Sequence, residues 1–386
     1  MGLRLRIAMG LVVVWLAQVS LCSGQTNDEF YRSWRFVEDV GPARAAGLGG
    51  AFVALADDSS SATLNPAGLT LLPKTELSGG VLWRGAGSLA ADATAGRVGA
   101  GYIGGGAPLT KKWAVGGYLT QPFDERVALG PGSSAGRLDT TVTDAGGAVG
   151  WSPTPRVRLG LRLNLTHVRV EGEWSRGAGA TATLRVGAAA GATRLTGDLG
   201  LLMQVTDELR VGATYRQGAS WDVSRTATNP SAGVAIDPGS VYRYRSPSVA
   251  SAGASLRAGL KVVVSAQLDY IRLSEVRDVF VVRVGPFSAG DYELKDAVEA
   301  RGGVEFSQPV GGLSIQVRAG VHGASGASLR YVGTDEAEAI RFRGSSRMTE
   351  WSAGASLVLS SGSRLDVALT SDKLRTVASA GAALRF

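Results

Sequence analysis

Long runs of strict alternation between apolar and polar residues limit the possible folds of this chain more than any other feature. Val157, Leu159, Leu161, Leu163 and Leu165 alternate with Arg158, Gly160, Arg162, Asn164 and Thr166. The same pattern runs through Val262–Tyr270, Val298–Ser307 and Leu313–His322. A strand turns successive side chains to opposite faces, so each run has one apolar face and one polar face. The polar faces carry Arg158, Arg162, Asp269, Glu299, Arg301, Glu305 and Arg318. A soluble sandwich also alternates, but its strands usually have about five or six residues. These runs reach about ten, the length that crosses a bilayer at a tilt. Charged inner faces on such strands fit a wet or plugged lumen.

Fourteen segments of this kind lie near 75–84, 87–106, 113–122, 139–151, 156–167, 194–205, 209–217, 247–257, 260–271, 296–308, 313–322, 348–359, 363–371 and 376–386. Short turns fall at Leu109–Lys112, Ser152–Pro155, Thr206–Glu208, Ala258–Gly259, Pro309–Gly312 and Ser360–Gly362. Long loops near 123–138, 168–193, 218–246, 272–295 and 323–347 alternate with them. A barrel with an even number of strands and both chain ends on the periplasmic side produces that alternation. The expected fold is all-β, a transmembrane antiparallel β-barrel of 14 strands over 74–386. Trp83, Trp113, Trp151, Tyr215, Trp221 and Trp351 sit near strand ends and suit the interfacial girdles. Ala378, Ala380, Ala382, Leu384 and Phe386 share one face of the last strand. That ending resembles the signal read by bacterial barrel-assembly machinery.

Composition removes the competing classes. Glycine supplies 54 of 386 residues, twice the usual share of about 7%, without the three-residue period of collagen. Cys22 is the single cysteine, which rules out a disulfide framework or a cysteine-ligated metal. Past residue 27 no charge-free run reaches the roughly 18 apolar residues of a membrane helix. Six of the 40 basic residues are lysine, and the arginines are scattered, so no nucleic-acid partner is expected. Arg4 and Arg6, the apolar run Ile7–Ala17 and small residues Ser20, Ser23 and Gly24 make residues 1–24 a cleaved signal peptide. Its removal lowers the net charge from +7 to +5. The expected location is the outer membrane of a diderm, Gram-negative-type bacterium, as a monomer in contact with outer-membrane lipid.

Residues 25–73 do not alternate. Small residues from Gly41 through Ala56 lead to Asp57, Asp58 and then Asn65-Pro66-Ala67-Gly68-Leu69. Asp58 or Ser59 is placed to cap one short helical turn, and Asn65 another with Pro66 at its first position. A compact exported segment of this kind before a barrel most simply plugs it. Gly47–Phe52 superficially suggests a phosphate loop, but the third glycine and a preceding strand are missing.

The run into Gly49-Gly50-Ala51-Phe52, then Asp57-Asp58, then Asn65-Pro66-Ala67, resembles the N-terminal hatch of the FadL-type long-chain fatty acid transporters. PorV/PorQ-like outer-membrane proteins share nearly the same signature. The first resemblance implies hatch-gated passive diffusion of a hydrophobic, fatty acid-like molecule, with sideways exit into the bilayer. It makes Gly49, Gly50, Asp57, Asp58, Asn65, Pro66 and Ala67 the hatch and gating residues. Gly116 and Gly117 in the third strand then become the site of a strand kink. The second resemblance implies a carrier or scaffold working with secretion-system proteins. The capture loops of the fatty acid transporters are apolar, whereas Val168–Thr193 here is mostly Gly, Ala and Arg. The 272–295 loop is more apolar, with Val279, Phe280, Val281, Val282, Val284 and Phe287.

Catalysis is not expected. His167 falls on the apolar side of its strand and His322 on the polar side of another, so the two do not share a site. No metal or cofactor is implied. Most lumen charges are expected to pair with each other. Arg158, Arg162 and Arg318 are candidates to hold a ligand carboxylate, which the guanidinium fork suits. The charged lumen also admits an open porin for small polar solutes.

Overall fold

A computed structural model describes residues 40–86, 97–129, 134–176, 184–229, 234–280, 288–324, 328–342, 347–373 and 375–386. The signal peptide and the start of the hatch lie outside the described residues, as do residues 281–287 of the apolar loop. The strands are β1 (Glu76–Ala86), β2 (Arg97–Pro108), β3 (Trp113–Leu129), β4 (Ser134–Trp151), β5 (Val157–Arg176) and β6 (Leu184–Gln204). Then come β7 (Leu209–Arg216), β8 (Ser220–Asn229), β9 (Val234–Arg245), β10 (Val249–Ala258), β11 (Val262–Ile271) and β12 (Tyr292–Glu293). The last are β13 (Ala297–Val310), β14 (Leu313–Ala324), β15 (Arg330–Tyr331), β16 (Met348–Val358), β17 (Arg364–Ser371) and β18 (Arg375–Arg385).

Fourteen of these close an antiparallel barrel in which each strand pairs with its neighbour and β1 pairs with β18. The other four are accessory: the hairpin β8–β9 extends β7 and β10 outward, and β12 pairs with β15 in a separate ribbon. The alternation decides which face meets lipid. Leu159, Leu161, Leu163 and Leu165 are exposed on the outer wall, while Arg162, Asn164 and Thr166 are buried inside. No helix among the described residues is long and apolar enough to cross a membrane. The tight turns fall where expected, and Gly311 and Gly312 adopt φ values of 54° and 85° that a Cβ would resist.

Three expected long loops, 123–138, 168–193 and 218–246, are instead largely strand. The ladder between β5 and β6 runs unbroken from Val157↔Met203 to Arg176↔Leu184. Beyond His167 both faces of the sheet leave the bilayer, and the exposed residues become Arg169 and Glu171. Backbone pairing continues there, but the outer face now meets water while Val168 and Val170 pack inward into an apolar cluster, so the pattern inverts on β5. On β6 the small residues from Gly187 to Ala192 leave no alternation. Trp221 is also not a girdle residue: it is 1% exposed, whereas Trp83, Trp113, Trp151, Tyr215 and Trp351 are exposed on the outer wall. Trp113 and Trp151 stack at 5.7 Å between ring centroids.

Above the lumen, Trp221 and Tyr244 from the β8–β9 hairpin join Phe123, Phe280, Tyr292, Tyr331 and Phe342 in one apolar cluster. Tyr292 makes edge-to-face contacts with Phe280, Tyr331 and Phe342 at centroid distances of 5.0, 5.3 and 5.1 Å. This aromatic cap covers the outer mouth.

Candidate functional site: the hatch, the cavity and the wall

Residues from Val40 onward lie inside the barrel as short turns, a helix Ala43–Ala46, a helix Ser61–Leu64 and a 3-10 helix Pro66–Leu71. Glycine in the wall makes room for them. A Cβ on Gly160 would lie 2.2 Å from the Ala67 nitrogen, and one on Gly200 would lie 2.3 Å from the Asn65 side-chain oxygen. A Cβ on Gly320 would meet the Gly49 nitrogen at 2.3 Å, and one on Gly303 the Leu48 carbonyl at 2.6 Å. The plug therefore rests directly on wall backbone around much of the circumference, which explains a large part of the glycine excess.

Polar side chains fasten this contact. Asn65 is fully buried and caps the 3-10 helix by accepting from the Ala67 N–H at 3.2 Å. Its Nδ2 donates to the carbonyls of Val53 at 2.7 Å and Leu201 on β6 at 3.1 Å. Pro66 takes the first helical position, as expected. Neither Asp58 nor Ser59 caps the Ser61–Leu64 helix, whose N-cap position, Ser60, has no side-chain cap. Asp58 accepts instead from the Ser60 N–H at 3.0 Å, one residue ahead of the helix.

The strongest fastening is ionic. Arg44 donates to both oxygens of Glu305 on β13, at 3.0 and 3.1 Å, and to Asp57 and Asp58 at 2.5 and 3.0 Å. Arg364 on β17 reaches Asp58 at 3.0 Å and Asp366 at 2.6 Å. Burial pushes the Asp58 carboxyl up, but Arg364, Arg44 and the Ser60 hydroxyl outweigh it and hold it well below the usual carboxylate range. Burial likewise opposes the charge on Arg44, and Asp57, Glu305 and Asp58 more than restore it.

The three candidate ligand arginines separate. The Arg318 side chain is fully enclosed and donates to Glu305 at 2.6 Å and Ser356 at 2.5 Å. Arg162 donates to Asp198 through Nε at 2.7 Å and to the hatch carbonyl of Thr63. Arg158 sits near the periplasmic turn with its Nε and Nη1 unpartnered. Gly116 and Gly117 pair regularly with Gly106 and Gly105 on β2 and with Ala148 and Gly147 on β4. The irregularity in β3 comes a few residues later, between Thr120 and Phe123, and pairing with β2 stops at Tyr102↔Thr120. What Gly116 provides is space: a Cβ there would touch Leu69 of the hatch at 3.0 Å.

His167 faces outward, bonded to Thr193, and His322 is buried in the lumen against Glu299 at 2.8 Å. The two do not form a site. Sequence reasoning assigned no role to Arg44, Tyr102 or Gln267. Tyr102 donates to the Ser59 carbonyl at 2.9 Å, and Gln267 accepts from the Phe52 and Val53 N–H groups at 3.1 and 3.0 Å. For Arg44 the usable signal was a lone charge within a run of small residues.

Between hatch and cap lies a cavity of about 180 Å³. Phe52, Val53, Leu64, Val249 and Ile271 give it apolar surface, and Arg162, Asp198, Arg216, Asp269, Glu299 and Arg301 give it charge. A smaller space of about 50 Å³ adjoins it under Phe123, Val142 and Trp221, sharing Pro122, Asp144, Arg216 and Pro247.

An exposed apolar wall, an interior plug and a closed ring of fourteen strands define a hatch-plugged barrel of the outer-membrane type. Its architecture is that of the FadL-type barrels. The chain superposes on a Pseudomonas aeruginosa FadL homologue with a TM-score of 0.72 at 12% identity, over 89% of this chain and 98% of that one. The CymD monoaromatic hydrocarbon channel gives 0.65 at 17% identity, over 90% and 97%. The toluene transporter TbuX of Ralstonia pickettii gives 0.64 at 14%, over 89% and 98%. At these identities the likeness is one of fold. No protein-family model and no curated protein sequence matches the chain.

Proposed function

We propose that the protein is an outer-membrane channel for passive passage of hydrophobic small molecules, gated by the hatch, with exit sideways into the bilayer. The observation that carries this reading is the cavity between hatch and cap, inside a wall that presents apolar residues to lipid. The axial route is filled by hatch residues seated on wall glycines, so a lateral path needs the smaller rearrangement. The split between β2 and β3 above Thr120 supports such a path. The neighbours of like fold include a toluene transporter and a monoaromatic hydrocarbon channel.

Size narrows the ligand. A cavity of about 150 Å³ is enough to hold benzene, so about 180 Å³ suits a single ring or a short chain better than a full-length fatty acid. The polar lining, with Arg162 paired to Asp198 and Arg301 to Asp269, favours a ligand that carries a polar group on that ring. Polar groups packed against pure hydrocarbon lose the water they would otherwise bond. Mass spectrometry of compounds retained by the purified folded protein tests the reading, alongside uptake by cells with and without the gene. An enriched hydrophobic compound and gene-dependent uptake are the expected results; neither appearing would overturn it.

One observation favours the alternative role with secretion-system proteins. Strands β3 to β6, of 17 to 21 residues, stand well above the bilayer and offer a broad outer surface. Cross-linking in membranes would then recover a protein partner in place of a ligand.

A further inference from the structure

The barrel wall has a second split, four strands beyond β2–β3. β6 remains joined to β5 along its whole length, but its other edge does not stay joined. Pairing with β7 runs from Gln204↔Arg210 only to Asp198↔Arg216. It resumes with β8 at Ala188↔Arg225. Among the described residues, no ladder pairing joins 189–197 to 217–224.

The cause is a double hinge. Residues 217–219 and 246–248 leave strand conformation side by side, and the β8–β9 hairpin leans over the lumen from there. The Gly218 N–H donates to the Ser248 hydroxyl at 3.1 Å and the Ala219 N–H to the Ser246 hydroxyl at 2.9 Å. Ser248 in turn donates to Glu275 at 2.8 Å, which Arg272 and Arg245 hold at 2.8 and 3.1 Å. The lean carries Trp221 across to the Thr166 carbonyl on β5, at 3.3 Å.

Across the split, side chains replace the missing ladder. The Gly197 N–H donates to the Gln217 side-chain oxygen at 3.1 Å, and the Gln217 N–H donates to Asp198 at 3.1 Å. Higher up, Arg194 and Asp222 approach to 3.6 Å at the exposed surface. A side-chain bridge can open by rotation about χ angles, whereas a ladder opens only by separating several backbone bonds together. The split also lies in the right place. Asp198, Leu199, Tyr215 and Arg216 line the larger cavity, and Thr196 and Gln217 line the smaller one. On the outside, Leu195 and Leu199 are exposed at the top of the apolar band.

We propose that this seam is a second side door, latched by Gln217 and hinged at 217–219 and 246–248, joining the lumen cavity to the outer leaflet. It admits a small apolar molecule bearing a hydrogen-bonding group, which would replace the Gln217 contacts at the lips. The proposal rests on the transport reading above. The β2–β3 split is likewise bridged by a side chain, Thr120 donating to the Gly101 carbonyl at 2.6 Å, and Arg84 of β1 reaches past β2 to the Gln121 carbonyl at 2.8 Å.

The test bridges each seam covalently in a Cys22→Ser background. Gly197→Cys with Gln217→Cys spans the new door, and Gly99→Cys with Gln121→Cys spans the β2–β3 split. A bismaleimide joins thiols that oxidation does not, and heat-modifiable gel migration shows that each barrel is folded. The probe is N-phenyl-1-naphthylamine, an uncharged fluorophore, added to cells whose outer membrane excludes it. The expected result is loss of part of the uptake rate with the 197–217 bridge and loss of all of it with both bridges, restored by reductant where the bridge is a disulfide. Undiminished uptake with the 197–217 bridge fully formed overturns the door while leaving the channel intact. A cysteine-free protein that gives no more uptake than cells lacking it overturns the transport reading itself, and the door with it.

Discussion

Arg44 of the hatch and Glu305 of the wall meet fork to fork, with Nε and Nη2 donating to the two carboxylate oxygens at 3.0 and 3.1 Å. Both are buried, and the pair belongs to a cluster of three arginines, Arg44, Arg318 and Arg364, and four carboxylates, Asp57, Asp58, Glu305 and Asp366. Arg44 is the member that belongs to the plug yet reaches the wall on β13. The cluster thus sets how firmly the hatch is seated.

Charge counting separates two substitutions. Arg44→Met leaves two arginines facing four carboxylates, whereas Glu305→Gln leaves three facing three. Breaking a buried ion pair by removing one partner costs about 3–5 kcal/mol. Arg44→Met should therefore loosen the hatch by an amount in that range, and Glu305→Gln by clearly less. Single-channel recording in planar bilayers checks the order: larger and more frequent conductance steps are expected for Arg44→Met. Equal behaviour of the two variants would mean that the cluster does not seat the plug.

Asn65→Ala removes the cap on the Pro66–Leu71 turn and the bonds to Val53 and Leu201. Losing a helix cap costs about 1 kcal/mol, and the uncovered buried carbonyls add about 1–3 kcal/mol. The change should alter transport and raise channel conductance while the barrel keeps its heat-modifiable migration. Failure of the barrel to fold would make Asn65 a folding residue for the wall instead.

Asp58 contributes to the acid resistance of the docked hatch. Its carboxyl is held below the unfolded value of about 3.9 by Arg364 and Arg44, so its contribution is fully present above about pH 5. That contribution falls only as pH drops below the unfolded value and through the folded one. Conductance recorded from pH 7 down to pH 5 should stay flat, and Asp58→Asn should weaken docking at pH 7 and remove the remaining acid dependence due to this group. A marked opening between pH 7 and pH 5 that Asp58→Asn abolishes would contradict this assignment.

The barrel was legible because lipid and lumen impose opposite chemistry on alternate residues, as along Leu159 to Thr166. Above His167 the outer face meets water and Val168 and Val170 point into the cap, so the lipid-facing stripe ends, and small-residue strands such as the outer part of β6 read as loop. Parity also placed His167 and His322 on their correct faces. It said nothing of Trp221, whose direction depends on the hinge at 217–219 and not on strand period. The hatch fastenings were partly visible in Asn65, Pro66 and the Asp57-Asp58 pair. Their partners Glu305, Arg364 and Leu201 come from strands 136 to 306 residues away, and only the closed ring brings them together.

Gly160 and Leu161 are neighbours on β5 whose substitutions should fail in different ways. Gly160 faces the hatch, and a Cβ there would already lie 2.2 Å from the Ala67 nitrogen, so Gly160→Leu has to displace the plug or shift the strand. Leu161 is 43% exposed on the outer wall. Leu161→Arg places a charge in the hydrocarbon band, at a cost of about 2–4 kcal/mol near the midplane. Denaturant titration of the barrel should show that loss for Leu161→Arg with channel conductance unchanged. Gly160→Leu should show the reverse emphasis: raised conductance from an unseated hatch, with a smaller change in barrel stability. If Leu161→Arg costs nothing, Leu161 does not face lipid. If Gly160→Leu leaves conductance unaltered, the wall glycines do not seat the plug.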